Sequence, residues 1–120
     1  MRRIWQNVVS IQYKIRSDVE LVELARGGDP QAYDELVARY RGRIYALVLG
    51  IVGDHEEDAA QALRDTFVRA YRSLRTADTD DAPRTWLSRH AVRAALACVH
   101  ARHVRRHSEV TFAKDTPRDA

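Results

Sequence analysis

The chain has 120 residues, which is enough for one domain with its own core. Its single cysteine, Cys98, excludes an internal disulfide and is typical of a protein in a reducing compartment. It is 45% hydrophobic, but no apolar run approaches the roughly 20 residues that a membrane span needs, and its start lacks the cleavage site of a signal peptide. The net charge of +3 is too small to identify a partner by itself, and we expect a soluble, cytoplasmic protein without a membrane partner.

The first 16 residues are ambiguous. Their apolar residues recur at helical spacing, but from Val9 to Ile15 they also alternate as in a strand. We favour a helix, because no other segment has the pattern of a strand. The first clear helix follows Ser17, which with Glu20 forms a capping box, and it ends at the glycine pair that begins with Gly27.

Asp29 and Pro30 begin the second helix, as its capping residue and its first helical residue, and Gly53 ends it. The spacing of its apolar residues is that of one continuous helical stripe. The stripe consists of Tyr33, Leu36, Val37, Tyr40, Ile44, Leu47, Val48 and Ile51.

Two further helices are predicted after Gly53. Asp54 is expected to cap the third, and a polar loop broken by Pro83 follows it. The fourth is expected to run from about Thr85 to about Arg106, and the remainder has no period and is typical of a tail or linker. The predicted buried residues are Ala59 or Ala60, Leu63, Phe67, Ala70, Tyr71 and Leu74 in the third helix, and Leu87, Ala91, Ala94, Ala95 and Cys98 in the fourth.

The expected fold is therefore an all-α bundle of about four helices, in which the second and third helices are antiparallel neighbours. We expect an N-terminal extension at residues 1–16, the helical domain at residues 17–107, and a C-terminal tail or linker at residues 108–120.

Positive charge is concentrated in the fourth helix. Between Arg84 and His107 there are six arginines, four histidines and no acidic residue, whereas the acids collect in DVELVE, DHEED and DTDD. A basic face on a body of mixed charge is what phosphate binding requires. A solvated, arginine-rich helix face without a ligand explains the same pattern, and charge alone does not separate the two.

Three segments within residues 18–106, about three quarters of the chain, together resemble region 2 of the extracytoplasmic-function (group IV) sigma factors of bacterial RNA polymerase. They are DVELVELARGGDPQAYDELVARYRGRIYALV, GDHEEDAAQALRDTFVRAYRSL and RTWLSRHAVRAAL. Each motif alone is weak, because capped amphipathic helices are common. Three motifs in the family's order and at its spacing are specific.

The resemblance implies two binding surfaces and no enzymatic activity. In that family the second and third helices dock on the clamp helices of the largest polymerase subunit, and the fourth helix and the loop before it hold the promoter −10 element and capture a flipped base. The implied polymerase-binding residues are Arg39, Tyr40, Arg43, Asp58, Gln61, Arg64 and Asp65. The implied DNA-binding residues are Arg84, Trp86, Arg89, Arg93, His100, Arg102 and Arg105, with residues 76–83 as the specificity loop.

Two of these assignments keep an alternative. Trp86 is favoured as a core anchor at the start of the fourth helix over a base-stacking residue. The aspartates of the loop, Asp78, Asp80 and Asp81, repel phosphate and fit either a loop that reaches a base edge or one that touches no DNA.

The chain also departs from the family. The acidic motif at the start of the third helix aligns with residues 58–61, where Ala60 and Gln61 lack the family's acids, and Arg64 replaces a glutamine. In the fourth helix, other residue types are usual in the family at positions 90, 93, 97 and 100. Losing two charge-assisted contacts at roughly 1.5–3 kcal/mol each weakens docking severely. A second hypothesis is therefore a degenerate sigma-like module that no longer docks on polymerase and binds an anti-sigma factor, another regulator or itself.

A complete member of the family also has a region 4, which reads the −35 element, and no such region follows here. We expect either a fragment that ends in the linker or a protein that works with a separate region 4 partner.

Other site chemistries are weaker. The spacing of His100, His103 and His107 near Cys98 suits zinc. A phosphate-facing surface is favoured instead, because no carboxylate or second cysteine converges nearby, and we expect no metal and no cofactor. Cys98 is interpreted as a small buried hydrophobic residue in preference to a redox sensor.

Overall fold

The computed structural model of the chain describes residues 11–76 and 82–115, with side chains up to Val110. Within these residues the regular structure is helical, which confirms the all-α prediction. The helices are α1 (Asp18–Arg26), α2 (Pro30–Val52), α3 (Glu56–Ser73) and α4 (Pro83–Asp115). A helical turn at residues 11–14 precedes α1 and agrees with the helix favoured there, whereas residues 1–10 lie outside the described part.

The capping residues explain where α1 and α2 begin. Ser17 Oγ accepts a hydrogen bond from the Glu20 amide at 3.2 Å, and Asp29 Oδ1 accepts one from the Gln31 amide at 3.0 Å. These bonds satisfy amides that have no partner within the helix. Gly53 ends α2 with φ at 83°, a conformation that side chains with a Cβ rarely adopt.

Two predicted helix boundaries are wrong. Asp54 does not cap α3, because it lies in the bend between α2 and α3. The N-cap residue of α3 is His55, whose side chain forms no capping hydrogen bond. At the other end, α4 continues to Asp115 instead of ending near Arg106. The sequence after Pro83 contains no glycine or proline before Pro117, so nothing in it interrupts the helix. The predicted lack of regular structure is therefore wrong for residues 108–115.

Consecutive helices run antiparallel. Tyr33, near the start of α2, donates its hydroxyl hydrogen bond to the Phe67 carbonyl near the end of α3. Trp86 near the start of α4 contacts Ser73 at the end of α3, and Arg102 further along α4 contacts Asp58 at the start of α3. The three long helices thus form the predicted bundle, and α1 packs on α2.

The core follows the predicted stripes closely. In α2 the buried residues include Tyr33, Leu36, Tyr40, Ile44 and Val48, as predicted. In α4 the alanines at 91, 94 and 95 are buried, and their small side chains let α4 approach α2 and α3 closely. None of the helices in the described part of the chain is long and apolar enough to cross a membrane.

In α3 the burial of several residues differs from expectation, most clearly at Tyr71 and Thr66. Tyr71, predicted to be buried, is 43% exposed, although its ring lies edge-on to Tyr33 with centroids 5.0 Å apart. Thr66 is fully buried instead, and its hydroxyl is satisfied because it donates to the Ala62 carbonyl at 2.6 Å. A buried threonine with its hydroxyl bonded four residues back packs as a small hydrophobic residue.

Candidate functional surfaces on α2, α3 and α4

Three predicted DNA-binding arginines lie together on α4. Arg84, Arg89 and Arg93 are exposed and line a shallow groove whose remaining lining is Thr85, Ser88 and Val92. His100 is exposed seven residues after Arg93, two helical turns along the same side. We call Arg84, Arg89, Arg93 and His100 the basic face of α4.

Trp86 lies apart from this face. Its side chain is 7% exposed, and its Nε1 donates a hydrogen bond to Ser73 Oγ at 3.0 Å. It therefore fixes the start of α4 against the end of α3, as expected of a core anchor. The loop between these two helices contains residues 77–81, and the predictions for Asp78, Asp80 and Asp81 lie outside the described residues.

Ser73 joins Trp86 to a second ring. Its hydroxyl lies 2.9 Å from the Ala70 carbonyl, to which it donates, and 3.1 Å from His90 Nε2. Because the hydroxyl has one proton and donates it to Ala70, the arrangement is satisfied when His90 carries its proton on Nε2. Burial lowers the pKa of His90, and the positive charges of Arg93 and Arg69 lower it further. We call Ser73, Trp86 and His90 the α3–α4 junction.

Arg102 does not lie on the basic face. Its guanidinium donates to Asp58 Oδ2 at 3.3 Å and to the Val52 carbonyl at 3.2 Å. Both side chains are about three-quarters buried, with relative exposures of 24% and 23%. The structure thus pairs a predicted DNA-binding residue with a predicted polymerase-binding one inside the bundle. Arg105, one turn beyond Arg102, is exposed.

Arg39, a predicted polymerase-binding residue, is engaged within the chain. It pairs with Asp18 at 2.8 Å and with Glu35 at 3.2 Å. It also donates to the carbonyls of Tyr13 and Lys14, at 3.1 and 2.9 Å. Arg39 therefore holds the N-terminal turn and α1 on α2.

Tyr40 has a similar internal role. Its ring is buried, and its hydroxyl donates to Asp18 Oδ2. Burial opposes ionisation of Asp18, but the hydrogen bonds from Tyr40 and Arg39 outweigh it and hold the pKa of this carboxyl below its usual range. A polymerase contact through Tyr40 would require this bond to open.

A groove separates the exposed sides of α2 and α3. We call it the α2–α3 groove, and among the predicted polymerase-binding residues only Arg64 lines it. Arg43 and Gln61 are exposed outside it, and Asp65 is half-buried. The groove is lined by Ala38, Arg41, Gly42, Tyr45, Ala60, Leu63 and Arg64.

The sequence-based prediction did not name Arg41 and Gly42 of the groove or Ser73 of the α3–α4 junction. A signal for the groove was present, because positions 38, 41, 42 and 45 share one side of a helix and two of them are small. No comparable signal marks Ser73, since its role depends on where α4 packs.

The remaining candidates were Cys98 and the histidines of α4. Cys98 is half-buried, and burial together with Asp58 and Asp65 raises the pKa of its thiol, which disfavours the reactive thiolate. In the described part of the chain, no three histidine, cysteine or acidic side chains are arranged to hold a metal ion.

Comparison with known proteins identifies the family of the chain. The family model described as "Sigma-70 region 2" matches residues 36–109. The chain is a helical, region 2-type domain and belongs to the sigma-70 region 2 family. This confirms the resemblance on which the site assignments were based.

Several characterised relatives are sigma factors. The RNA polymerase sigma-H factor of Pseudomonas aeruginosa is 38% identical over 78 residues, which cover 65% of this chain and 40% of that protein. The ECF RNA polymerase sigma-E factor of Haemophilus influenzae is 32% identical over 99 residues, 82% of this chain and 51% of that protein. The chain thus spans about half or less of the length of these relatives.

A solved structure shares the fold. It is an NMR structure of the complex formed by an engineered region 2 of sigmaE with GTAAAA. It is 33% identical, with a TM-score of 0.69, and the match covers 75% of this chain and 93% of that one.

Proposed function

We propose that this chain is the region 2 domain of a sigma factor that acts in bacterial transcription initiation in the cytoplasm. In this proposal α2 and α3 dock on the clamp helices of the largest subunit of core RNA polymerase, and α4 with the loop before it holds the promoter −10 element. Membership of the sigma-70 region 2 family supports the assignment, and the solved relative in complex with GTAAAA supports the nucleic-acid part.

The observation that carries the proposal is the basic face of α4. Arg84 and Arg93 are exposed on a helix that has no acid between residues 84 and 107, so phosphates meet positive charge without a competing carboxylate of the same segment. Arginines placed in this way neutralise the backbone and set the position of the strand without reading its sequence.

Reading a base then falls to the loop before α4. The α3–α4 junction joins the two helices on either side of that loop, because Trp86 and Ser73 are connected by a 3.0 Å hydrogen bond. A loop between two joined helices can receive an unstacked base at a cost of a few kcal/mol. In this division of work, the arginines supply affinity and the loop supplies the sequence preference.

Fluorescence anisotropy with a labelled GTAAAA strand tests the nucleic-acid part. We expect the chain to bind this strand more tightly than a strand of the same composition in scrambled order, with an affinity that falls as salt rises. Equal binding of both strands would contradict base reading, and absence of binding at low salt would contradict the proposal for α4.

A second candidate function has its own support. Arg39, Tyr40 and Asp58 are used inside the bundle, which leaves fewer of the expected polymerase contacts on the surface. A degenerate module that binds an anti-sigma factor, another regulator or itself fits that loss. Retention of the chain by immobilised core RNA polymerase, weakened by Asp65→Ala, supports the first function. No retention at low salt supports the second.

A further inference from the structure

We propose that binding of a nucleic-acid strand to the basic face of α4 is coupled to protonation of His90, so that the strand binds more tightly as the pH falls. The inference rests on the proposed binding of the −10 element by α4, and it adds the proton as a regulatory input to that surface. His90 belongs to the α3–α4 junction and not to the basic face. Because other residue types are usual in the family at position 90, family membership does not imply this coupling.

The hydrogen bonds of the junction leave one ring nitrogen of His90 to titrate. The Ser73 hydroxyl gives its proton to the Ala70 carbonyl and accepts a bond from Trp86 Nε1 at 3.0 Å. Its remaining lone pair faces His90 Nε2 at 3.1 Å, and this contact is satisfied when Nε2 carries a proton. A second proton then enters at Nδ1 and leaves the bond to Ser73 intact. The junction can therefore hold both charge states of His90.

The surroundings of His90 oppose its positive charge. The ring is half-buried and lies edge-on to Trp86, with centroids 6.0 Å apart. Among the described residues, the charged groups that act on His90 are Arg93 from its own helix and Arg69 from α3, and both are exposed. Burial and these two cations lower the pKa of His90, so the free chain holds this side chain neutral at neutral pH.

A phosphate bound at Arg93 changes this balance. Arg93 is a member of the basic face and follows His90 by three residues, so the two side chains are neighbours on the surface of α4. A phosphate there offsets the repulsion from Arg93 and places negative charge near the imidazole, which favours its protonated form. The pKa of His90 is therefore higher in the complex than in the free chain.

The difference in pKa between the two states fixes the sign of the pH effect. Above both pKa values His90 is neutral with or without the strand, and its charge adds nothing to the affinity. As the pH falls through the bound-state pKa, the complex takes up a proton and the affinity rises, until the free chain is protonated as well. Coupling of this kind is reciprocal, so the strand must raise the pKa of His90 by the amount that the proton strengthens binding.

The affinity for a labelled GTAAAA strand, measured by fluorescence anisotropy at constant salt, tests the coupling. Between about pH 7.5 and about pH 5.5 we expect the affinity of the wild-type chain to rise at least roughly threefold more than that of His90→Gln. Glutamine also offers an N–H to Ser73 but stays neutral, so the variant can keep the bond and loses only the titration. Both proteins retain His100, so its titration cancels in the comparison.

Two further measurements make the test specific. His55 is exposed at the N-cap of α3, and His55→Gln is the matched control that should keep the pH dependence of the wild-type chain. Circular dichroism at each pH shows that all three proteins are folded. NMR titration of the histidine ring protons, with the His90 signal identified by its loss in His90→Gln, should give a higher pKa for His90 in the presence of the strand.

The outcomes separate this inference from the proposed function. If the wild-type chain binds the strand but gains no more affinity at low pH than His90→Gln, the coupling is wrong and strand binding stands. An unchanged pKa of His90 on strand binding, or an equal loss of pH dependence in His55→Gln, would also overturn the coupling. If the wild-type chain does not bind the strand at low salt at any pH in this range, both proposals are wrong.

Discussion

Arg102 of α4 and Asp58 of α3 form an ion pair across 3.3 Å, and the same guanidinium donates to the carbonyl of Val52 at the end of α2. One side chain therefore joins three helices at the end of the bundle opposite the α3–α4 junction. Because both charged groups are about three-quarters buried, the pair contributes to the fold.

Removing this arginine should lower stability. We expect Arg102→Ala to reduce the free energy of unfolding by about 1–2 kcal/mol, since a charge-assisted bond and a carbonyl contact are lost at a partly covered site. Urea denaturation followed by circular dichroism measures the change. Arg105→Ala, one turn further and exposed, is the control and should change stability by less than about 0.5 kcal/mol. Similar losses for the two variants would contradict the structural role.

The α3–α4 junction predicts a second stability effect. Ser73→Ala removes the acceptor of Trp86 Nε1 and the partner of His90 together. Leaving buried donors unsatisfied costs about 1–3 kcal/mol, so the unfolding midpoint in urea should fall clearly. Ser108→Ala, at an exposed position of α4, is the matched control. A midpoint equal to that of the control would show that the hydrogen bonds of Ser73 do not stabilise the junction.

His90 should make stability depend on pH. Burial, with Arg93 and Arg69, lowers its pKa below the ordinary value of 6.5, so the unfolded chain takes up the proton more readily than the folded one. The stability linked to neutral His90 is thus present above about pH 6.5 and is lost as the pH falls through the folded-state pKa.

The measurement is the difference in unfolding free energy between the wild-type chain and His90→Gln at several pH values from about 8 to about 5. We expect the wild-type chain to lose more stability than the variant as the pH falls. The variant retains the other four histidines, so their titration cancels in the difference. If the unfolding free energies of the two proteins changed equally with pH, the lowered pKa of His90 would be ruled out.

Two glycines of the α2 region should respond in opposite directions to the same substitution. Gly53 has φ at 83°, so Gly53→Ala imposes strain and should cost about 1 kcal/mol or more. Gly50 lies within the helix with open space around it, so Gly50→Ala should stabilise by about 0.5–1 kcal/mol. The unfolding temperatures of both variants measure these changes in stability. A higher unfolding temperature for Gly53→Ala than for the wild-type chain would contradict the strain expected from the positive φ of Gly53.

Much of the fold was predictable because its signals are local. Ser17, Asp29 and Gly53 act on backbone groups within a few residues, and the stripe of α2 needs only the helical period. The end of α4 was missed because polar composition was given more weight than the absence of a helix breaker.

The site was less predictable because charge was considered without the helical period. Positions 87, 91, 95, 98 and 102 are spaced by four, four, three and four residues, which places Arg102 on the inward stripe of α4. That spacing was available from the sequence. The pairing of Arg39 with Asp18, in contrast, depends on how α1 packs against α2, and no local pattern contains this information.

The central claim is that the basic face of α4, and not every arginine of that helix, contacts a nucleic-acid backbone. Its most direct test is the salt dependence of binding to the GTAAAA strand, measured for the wild-type chain and for Arg89→Ala, Arg93→Ala and Arg102→Ala under conditions where all are folded. We predict that the slope of log K against log salt falls by about 0.7, one phosphate of a single strand, for each of the first two variants and stays unchanged for the third. Unchanged slopes for Arg89→Ala and Arg93→Ala, or an equal fall for Arg102→Ala, would contradict the account.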